Sequence, residues 1–435
     1  MSKNIKDKNS KKGKTIGVVG LGYVGLPLAL LADKKGCEVI GVDISQDKVE
    51  KIKKKKVPFE DDKIARMMLE SNLKATLDFT VLKSASVIVI CVPTPVNKKH
   101  LPDLSPVEEA SRAIGSILQK GQLVILESTV NPGVSENVVL PILEKNSGLI
   151  CGQDFYLAHC PERINPGDPL WDVENIPRVV GGFEKIGLER ALDFYRSILK
   201  AEVKPMKSLK EAEAVKVVEN SFRDINIAFV NELAMSFNQL GIDVVSVLDG
   251  AATKPFAFMR HLPGCGVGGH CIPVDPYYLI KYAKENGFNH NFLKLARKIN
   301  NYMPEFTAKL LVDGLRQKGI KIAGTKVALL GLSYKPDIDD CRESPSFKII
   351  ENLEKQGIVV SIFDPHVLGQ STAGSLEESL TGARAVIVAT GHRAFSCLTP
   401  EFLKSYGVAV VIDGRNFLPK ENFVRTDLVY HGIGR

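Results

Sequence analysis

The period of the hydrophobic pattern changes several times along the chain, and each change marks an element. Residues 15–19 (TIGVV) are a short β-branched run; after GLGYVG a helical pattern runs through Lys35 and stops at Gly36. Residues 37–42 read as a second strand, ending at Asp43. Residues 87–92 (VIVICV) and 123–126 (LVIL) are unbroken apolar runs, the mark of strands buried on both faces of a parallel sheet. Residues 155–158 predict a further strand, and VVGG at 179–182 closes a first domain near residue 205. The longest helical pattern covers 208–240, where Val215, Val218, Phe222, Ile225, Phe229 and Leu233 recur at spacings of three and four. That predicts a helix on the order of 45 Å long, a spine between two lobes and a dimer surface. Residues 291–318 are helical. KVALL at 326–330 opens a second α/β unit, continued by strands at 359–363, 385–389 and 408–412.

The first of these units carries more than a pattern. Strand, Gly20-Leu21-Gly22-Tyr23-Val24-Gly25, helix, strand and Asp43 stand in the order and spacing of a dinucleotide fingerprint. Gly20 makes the turn, Gly22 lets a pyrophosphate approach the backbone, and Gly25 allows the helix to pack closely. The helix N-terminus offers N–H groups to the phosphates. Asp43 suits ribose hydroxyls and repels a 2′-phosphate, so the expected cofactor is NAD rather than NADP, with Lys48 close enough to touch the same ribose. In the second unit GLSYK (331–335) keeps only the first glycine, so no dinucleotide is expected there. The predicted fold class is α/β: two Rossmann-like, doubly wound lobes joined by a central helical domain with a long spine helix. The expected boundaries are a disordered basic leader at 1–14, the NAD-binding lobe at 15–205, the central domain at 206–322 and the second lobe at 323–435.

Composition narrows the class. Of 435 residues 44% are hydrophobic and 25% charged, ordinary for a soluble globular protein. The net charge is +7, but six lysines against Asp7 in the first 14 residues carry +5 of it. The folded body is then close to neutral, without the basic stripe of a nucleic-acid binder. Eight cysteines show no C-x-x-C spacing, which points to reduced thiols and a cytoplasmic setting. TIGVVGLGYVGLPLALLAD after a basic leader imitates a signal peptide, but its glycines belong to the fingerprint. No other stretch reaches the ~18 apolar residues of a spanning helix, so no membrane partner is expected.

Candidate chemistry clusters at strand ends and in one loop. Residues 263–275, PGCGVGGHCIPVD, deliver Cys271 behind a run of glycines, with Asp275 four residues on. Such glycines let backbone approach a ligand closely or adopt positive φ. The loop suits a nucleophile; it equally suits a tight turn holding a half-buried thiol. Thr94 (in PTP) and Thr129 (in EST) follow the strands at 87–92 and 123–126, at the sheet end where ligands of open α/β folds sit, though turn chemistry alone also places threonine there. Glu162 follows the strand at 155–158 between prolines, either a site residue or a surface carboxylate. Lys216 and Asn220 are four apart and share a helix face, with Lys216 set among Ala214, Val215, Val217 and Val218. Lys335, Arg342 and Arg415 fall in turns after strands of the second unit, where cations suit the phosphates of a nucleotide-linked substrate.

Taken together, GLGYVGLPLA, PTP, EST, PERINPGD, EAVKVVENSFRDINIAFVNELA, GVGGHCIPVDPYYL, GLSYKPDIDDCRESPS and DGRN resemble the UDP-glucose/GDP-mannose dehydrogenase family from about Thr15 to Asn416. The resemblance implies a four-electron oxidation of a sugar C6 alcohol to a carboxylate with two NAD⁺. It implies Cys271 as the nucleophile, passing through a thiohemiacetal and a thioester that split one hard oxidation into easier steps. Lys216 and Asn220 match the pair that stabilises the developing oxyanion. Asp275, with Thr129 and a water, matches the group handling the first proton. Glu162 matches the carboxylate serving thioester hydrolysis or binding, with Arg163 beside it. Lys335 and Arg415 match contacts to the uridine diphosphate, and Arg342 a residue reaching the cofactor. Arg260 takes the part of the family arginine that crosses from a neighbouring subunit. His270, ATKPF (252–256) and PERINPGD resemble the branch acting on UDP-N-acetylhexosamines, UDP-N-acetylglucosamine foremost, with its mannosamine epimer or UDP-glucose as the alternative, as precursors of surface polysaccharide. Cys265 and MRHLP (259–263) depart from that branch.

Three rival readings stand beside this one. His261, Cys265, His270 and Cys271 are donor types that zinc accepts, but their spacing fits no common zinc pattern, and no metal is expected. A non-catalytic NAD-binding protein could use the same fold. An ordinary two-electron alcohol dehydrogenase would yield one NADH per sugar instead of two.

Overall fold

Alternation along the strands sorts side chains into two layers on either face of each sheet. In the strand Val87–Ile90, Val87 and Val89 join one buried cluster, while Ile88 and Ile90 join the other. The strand Leu123–Leu126 divides in the same way, as does Lys326–Leu330 in the second lobe. Each such side chain is worth roughly 1.5–3 kcal/mol when fully buried, which fixes the register of a strand covered on both faces.

The computed structural model describes residues 14–59, 61–95, 102–164, 170–269 and 271–435. The basic leader through residue 13, residues 165–168 of PERINPGD and His270 lie outside the described residues. Backbone packing divides the chain into two compact units, Met1–Glu219 with Tyr277–Tyr282, and Asn220–Pro276 with Ala283–Arg435.

The first unit is built on an eight-stranded sheet: β1 (Thr15–Val19), β2 (Glu38–Val42), β3 (Lys74–Thr76), β4 (Val87–Ile90), β5 (Leu123–Leu126), β6 (Tyr156–His159), β7 (Arg178–Gly182) and β8 (Val203–Pro205). Their spatial order is β3-β2-β1-β4-β5-β6-β7-β8, parallel except where β7 meets β6. The order reverses between β1 and β4, the crevice where such sheets hold ligands. β1, β2, β4, β5 and β6 stand within a residue or two of the runs read from the sequence, and the apolar run at 87–92 leaves the sheet at Ile90; β3 and β8 were not read, and VVGG at 179–182 forms most of β7.

The second unit holds a parallel five-stranded sheet of β9 (Lys326–Leu330), β10 (Val359–Phe363), β11 (Ala385–Val388), β12 (Val410–Asp413) and β13 (Val429–Gly432), in the order β10-β9-β11-β12-β13. This is the other common doubly wound order. Gly331 keeps the tight turn after β9, with φ +101°, and a Cβ there would be driven into Thr390. Asp364 ends β10 as Asp43 ends β2, but it is fully buried: it accepts from Leu332 N at 2.6 Å, Ser333 N at 2.8 Å and His392 Nε2 at 3.1 Å. Asp43 makes the equivalent bond to Leu21 N, so what sets Asp364 apart is its complete burial and the Ser333 hydroxyl and His392 ring that bond its carboxylate.

The long helix spans Leu209–Leu240, 32 residues, and is the central helix of the two-lobed α/β design. Its inward face differs from the predicted apolar stripe. Val218, Phe222 and Phe229 are about half exposed, whereas Glu213, Ser221, Asp224 and Asn231 are buried along with Ala212, Val217, Ala228 and Ala234. Val215, Ile225 and Leu233 of the stripe are partly buried, and the fully buried face carries a hydrogen-bonded polar network.

Candidate active site

In the first unit, the fingerprint glycines do three different jobs. Gly20 has φ +95°, and a Cβ there would lie 2.6 Å from the carbonyl oxygen of Cys91. A Cβ on Gly25 would be driven into the carbonyl of Gly20, so the helix Gly25–Lys34 can sit this close only with glycine. At Gly22 a Cβ would meet nothing within 4 Å, so the loop opens outward there. No side chain caps the helix at Val24. Asp43 Oδ2 accepts from Leu21 N at 2.8 Å, and Oδ1 accepts from Ser45 N at 2.9 Å. Lys48 Nζ lies 3.4 Å from Asp43 Oδ2, and the Tyr23 ring stacks on Phe59 at 4.2 Å. An open glycine, an uncapped helix start and a buried acid holding the loop fit the pyrophosphate and ribose of NAD.

The neighbouring strand ends are tied together. Ser128 Oγ donates to Val92 O at 2.7 Å, Thr94 Oγ1 donates to Thr129 O at 2.7 Å, and Tyr278 OH donates to Thr94 O at 2.5 Å. Glu213, on the long helix one turn before Lys216, accepts from Gly133 N at 2.5 Å and Ser135 N at 2.7 Å. Burial pushes its carboxyl up to about 7. The loop bearing Thr129 is therefore pinned to the helix segment bearing Lys216.

Below Glu162 lies a buried charge cluster. Arg178 Nη1 donates to Glu127 Oε1 at 2.6 Å, Tyr195 OH donates to Glu127 Oε2 at 2.9 Å, and Arg178 Nη2 stands 3.7 Å from Glu162 Oε1. Burial opposes the Arg178 charge, but Glu127 and Glu162 more than offset it and hold the guanidinium ionised. Glu162 also accepts from Ile164 N, and Arg163 bonds Pro177 O at 2.9 Å and pairs with Glu219. Beside them, burial pushes the Cys160 thiol up to about 12 and His159 down to about 3, so neither offers a reactive or charged group at neutral pH.

In the second unit, Cys271 is half-buried at the end of the glycine loop. The glycines serve close approach, but to protein. A Cβ on Gly264 would lie 3.0 Å from Arg415 Nη1, on Gly266 2.8 Å from Pro345 Cβ, on Gly268 2.7 Å from Tyr334 Cβ and on Gly269 2.8 Å from Tyr334 Cε2. Gly266 (φ +132°) and Gly269 (φ +90°) also need their positive φ. Arg415 Nη1 donates to Gly266 O at 3.1 Å and its Nε to Ala389 O at 2.8 Å. Asn220 Nδ2 donates to Asp275 Oδ2 at 2.5 Å, and Asp275 N donates to Cys271 O at 2.8 Å. Burial, then the Asp340 carboxylate and the Cys271 thiol, push the Tyr334 hydroxyl up to about 12. A pocket of about 480 Å³ is lined by Tyr334, Lys335, Pro336, Gly391, Arg415, Asn416 and Phe417. It offers two cations and two aromatic rings, the chemistry a pyrimidine diphosphate requires.

Thr94, Thr129, Glu162, Arg163 and Lys216 thus belong to the first unit, and Asn220, Cys271, Asp275, Lys335 and Arg415 to the second. Two expected ligand-binding arginines have protein partners: Arg342 Nη2 lies 2.6 Å from Asp340, and Arg260 Nη2 lies 2.5 Å from Asp249. Of the imagined zinc donors, the Cys265 thiol is buried against Ala389 O, and His261 Nδ1 lies 3.0 Å from Met259 O. Asp337, His366 and His392 lie close enough to hold a metal, but His392 Nδ1 already accepts from Asp337 N at 2.9 Å and Asp337 pairs with Arg393. Glu127, Arg178, Glu213 and Asn231 were missed from sequence; the position of Glu127 at the end of one apolar strand and of Arg178 at the start of another was a hint, while Glu213 and Asn231 carried none.

Three consecutive segments match models of one family: the UDP-glucose/GDP-mannose dehydrogenase NAD binding domain over residues 14–199, its central domain over 210–302 and its UDP binding domain over 328–420. The chain is 39% identical over 425 residues to UDP-N-acetyl-D-mannosamine dehydrogenase of Pyrococcus horikoshii, covering 97% of this chain and 99% of that one. It is 38% identical over 404 residues to UDP-N-acetyl-D-glucosamine 6-dehydrogenase of Pseudomonas aeruginosa, covering 92% and 95%. A solved structure of UDP-D-ManNAc dehydrogenase from Pyrococcus horikoshii superposes with TM-score 0.91 at 37% identity, covering 97% of this chain and 99% of that one.

Proposed function

The chain belongs to the UDP-glucose/GDP-mannose dehydrogenase family and is an NAD-dependent oxidoreductase of UDP-sugars, and from that premise we propose that it oxidises the C6 alcohol of UDP-N-acetylglucosamine to the uronate. The observation carrying this reading is the Cys271 loop, laid against Tyr334 and Arg415 of the cation-lined pocket, with the Asn220–Asp275 pair at its far end.

Gly20, Gly22, Gly25 and Asp43 would hold NAD, which when bound accepts the hydride in each oxidation. Asp275, with Thr129 and a water, takes the C6 hydroxyl proton. Cys271 Sγ adds to the resulting aldehyde carbon as a thiohemiacetal, and Lys216 and Asn220 stabilise the oxyanion. The second oxidation leaves a thioester. Glu162 activates the water that releases the carboxylate and restores the thiol. Lys335 and Arg415 take the diphosphate, Arg163 the sugar side, Arg342 the cofactor and Arg260 a site across a subunit boundary. The balance is two NAD⁺ and one water consumed per sugar. The half-exposed Phe222 and Phe229 on the long helix support the expected homodimer. None of the eight cysteines forms a disulfide, which supports a reducing, cytoplasmic setting.

The mannosamine epimer is the second reading, favoured by the relative of that name at 39% identity over 97% of the chain. NADH production against UDP-N-acetylglucosamine, UDP-N-acetylmannosamine, UDP-N-acetylgalactosamine and UDP-glucose separates these. Two NADH per UDP-N-acetylglucosamine is the expected result; one NADH per sugar, or turnover of the mannosamine epimer alone, rejects it. Cys271→Ser is expected to stop steady turnover and leave NAD binding intact, and wild-type kinetics in that variant would end the thioester route.

A further inference from the structure

The long helix grips the Cys271 loop at both ends through two asparagines. At the far end Asn220 holds Asp275, whose N–H in turn holds the Cys271 carbonyl. At the near end Asn231 Oδ1 accepts from Gly264 N at 2.9 Å. The two asparagines are eleven residues apart, three helical turns to within about 20°, and so lie on one face. Asn220 is accounted for by the reaction; Asn231 is not, and it is fully buried.

An amide could face Gly264 with either end, and only its oxygen can accept the N–H. A chain of buried bonds decides which end it presents. Asp224 Oδ1 accepts from Arg297 Nη1 at 2.6 Å and from Asn300 Nδ2 at 2.8 Å. An ionised carboxylate only accepts, so it must meet the NH₂ of Asn300. That turns Asn300 Oδ1 toward Asn231, which donates its Nδ2 at 2.9 Å. The Asn231 oxygen is left facing Gly264 by elimination. Asp224, Asn231, Arg297 and Asn300 are all buried, so water cannot substitute for a partner that turns away.

We propose that Asn231 is a positioning residue for the Cys271 thiol, anchoring the near end of its loop with an amide polarity that Asp224 dictates through Asn300. The proposal rests on Cys271 being the nucleophile. From Gly264 the anchor passes along the loop: Cys265 N donates to Gly414 O at 2.8 Å, Gly266 O accepts from Arg415, and Gly269 N donates to Arg342 O at 3.0 Å. Release of the near end therefore reaches the thiol and the pocket wall together.

The test uses the full chain with Asn231→Leu and Asn231→Asp. The leucine variant removes the acceptor at similar volume, and kcat is expected to fall about tenfold or more while NAD affinity is kept. The aspartate variant reads the polarity. Protonated, Asp at 231 accepts from Gly264 and donates to Asn300, as Asn231 does; ionised, it turns a second acceptor on Asn300 Oδ1. The charged and titratable groups around the site are Asp224, Arg297, Arg415, Asp413 and the Cys265 thiol, all present in both proteins, so the wild type is the control. The ratio of variant to wild-type kcat is expected to fall at least about fivefold between about pH 6 and about pH 8.5. The alkylation rate of Cys271 by iodoacetamide, read by peptide mass spectrometry against the exposed Cys397, is expected to diverge from wild type over the same range. A flat ratio, or wild-type kcat in the leucine variant, overturns the proposal; should the leucine variant not fold, the aspartate profile decides. The alkylation readout needs no turnover, so failure of the nucleophile reading, seen as wild-type kinetics in Cys271→Ser, is distinguished from failure of the anchor.

Discussion

Alanine at Gly22 and alanine at Gly25 should fail in opposite ways. At Gly22 the added methyl meets no protein atom within 4 Å, so folding loses nothing. The unfolded chain becomes stiffer, and stability should hold or rise by up to about 1 kcal/mol. The methyl does occupy the path by which a pyrophosphate would reach the backbone. Charge-assisted hydrogen bonds contribute about 1.5–3 kcal/mol each, so losing one or two weakens NAD binding by roughly 100-fold. At Gly25 the methyl meets the Gly20 carbonyl and stands 3.0 Å from Cys91 Cβ. The obstruction is backbone and cannot rotate away, so the overpacking cost should reach the upper end of about 1–3 kcal/mol. For a domain of this size that lowers the melting temperature by roughly 6–12 °C. Calorimetric titration with NAD and a thermal melt on each full-length variant separate the two. Near-wild-type NAD affinity in Gly22→Ala, or an unchanged melt in Gly25→Ala, would refute this division of labour.

Three further outcomes follow from buried charge. Glu127→Gln strips the carboxylate from a fully buried Arg178 and should cost about 3–5 kcal/mol in chemical denaturation; an unchanged midpoint would mean that Arg178 finds another partner. Glu213 has its pKa raised by burial from the ordinary carboxylate value to about 7, so the folded state holds its proton more tightly than the unfolded one. Wild-type stability relative to Glu213→Gln should therefore fall as pH rises from about 4.5 to about 7, then level off; a difference independent of pH contradicts this. Asp43 should hold rates with NADP at least about tenfold below those with NAD, and equal rates would remove the ribose role given to it.

The central strands were readable because both of their faces are apolar, whereas the edge strands β3, β8 and β13 are short and only partly covered and were not read. The fingerprint was readable because its spacing leaves little alternative. The inward face of the long helix was not. Val218, Phe222 and Phe229 marked an apolar stripe, whereas the buried positions include Glu213, Asp224 and Asn231, whose partners come from distant loops and helices. Local sequence cannot show that a polar side chain will meet its partner 69 or 80 residues away. The same blindness hid Arg178, which opens a strand yet is fully buried by its pairing with Glu127. The Cys271 loop was half legible: its glycines do permit close approach, but to Tyr334, Pro345 and Arg415.

That last fit bears on how such enzymes can be rebuilt. Grafting a relative's carboxy-terminal sheet to change nucleotide preference would shift the settings of Tyr334, Pro345 and Arg415 while leaving the thiol-bearing segment moulded to their present positions. The workable cassette is the whole second unit, Asn220–Pro276 with Ala283–Arg435, whose ends fall inside helices and not at the borders between sequence domains. A splice at those borders should give soluble but sluggish hybrids, whereas one made within the helices carries mould and casting together.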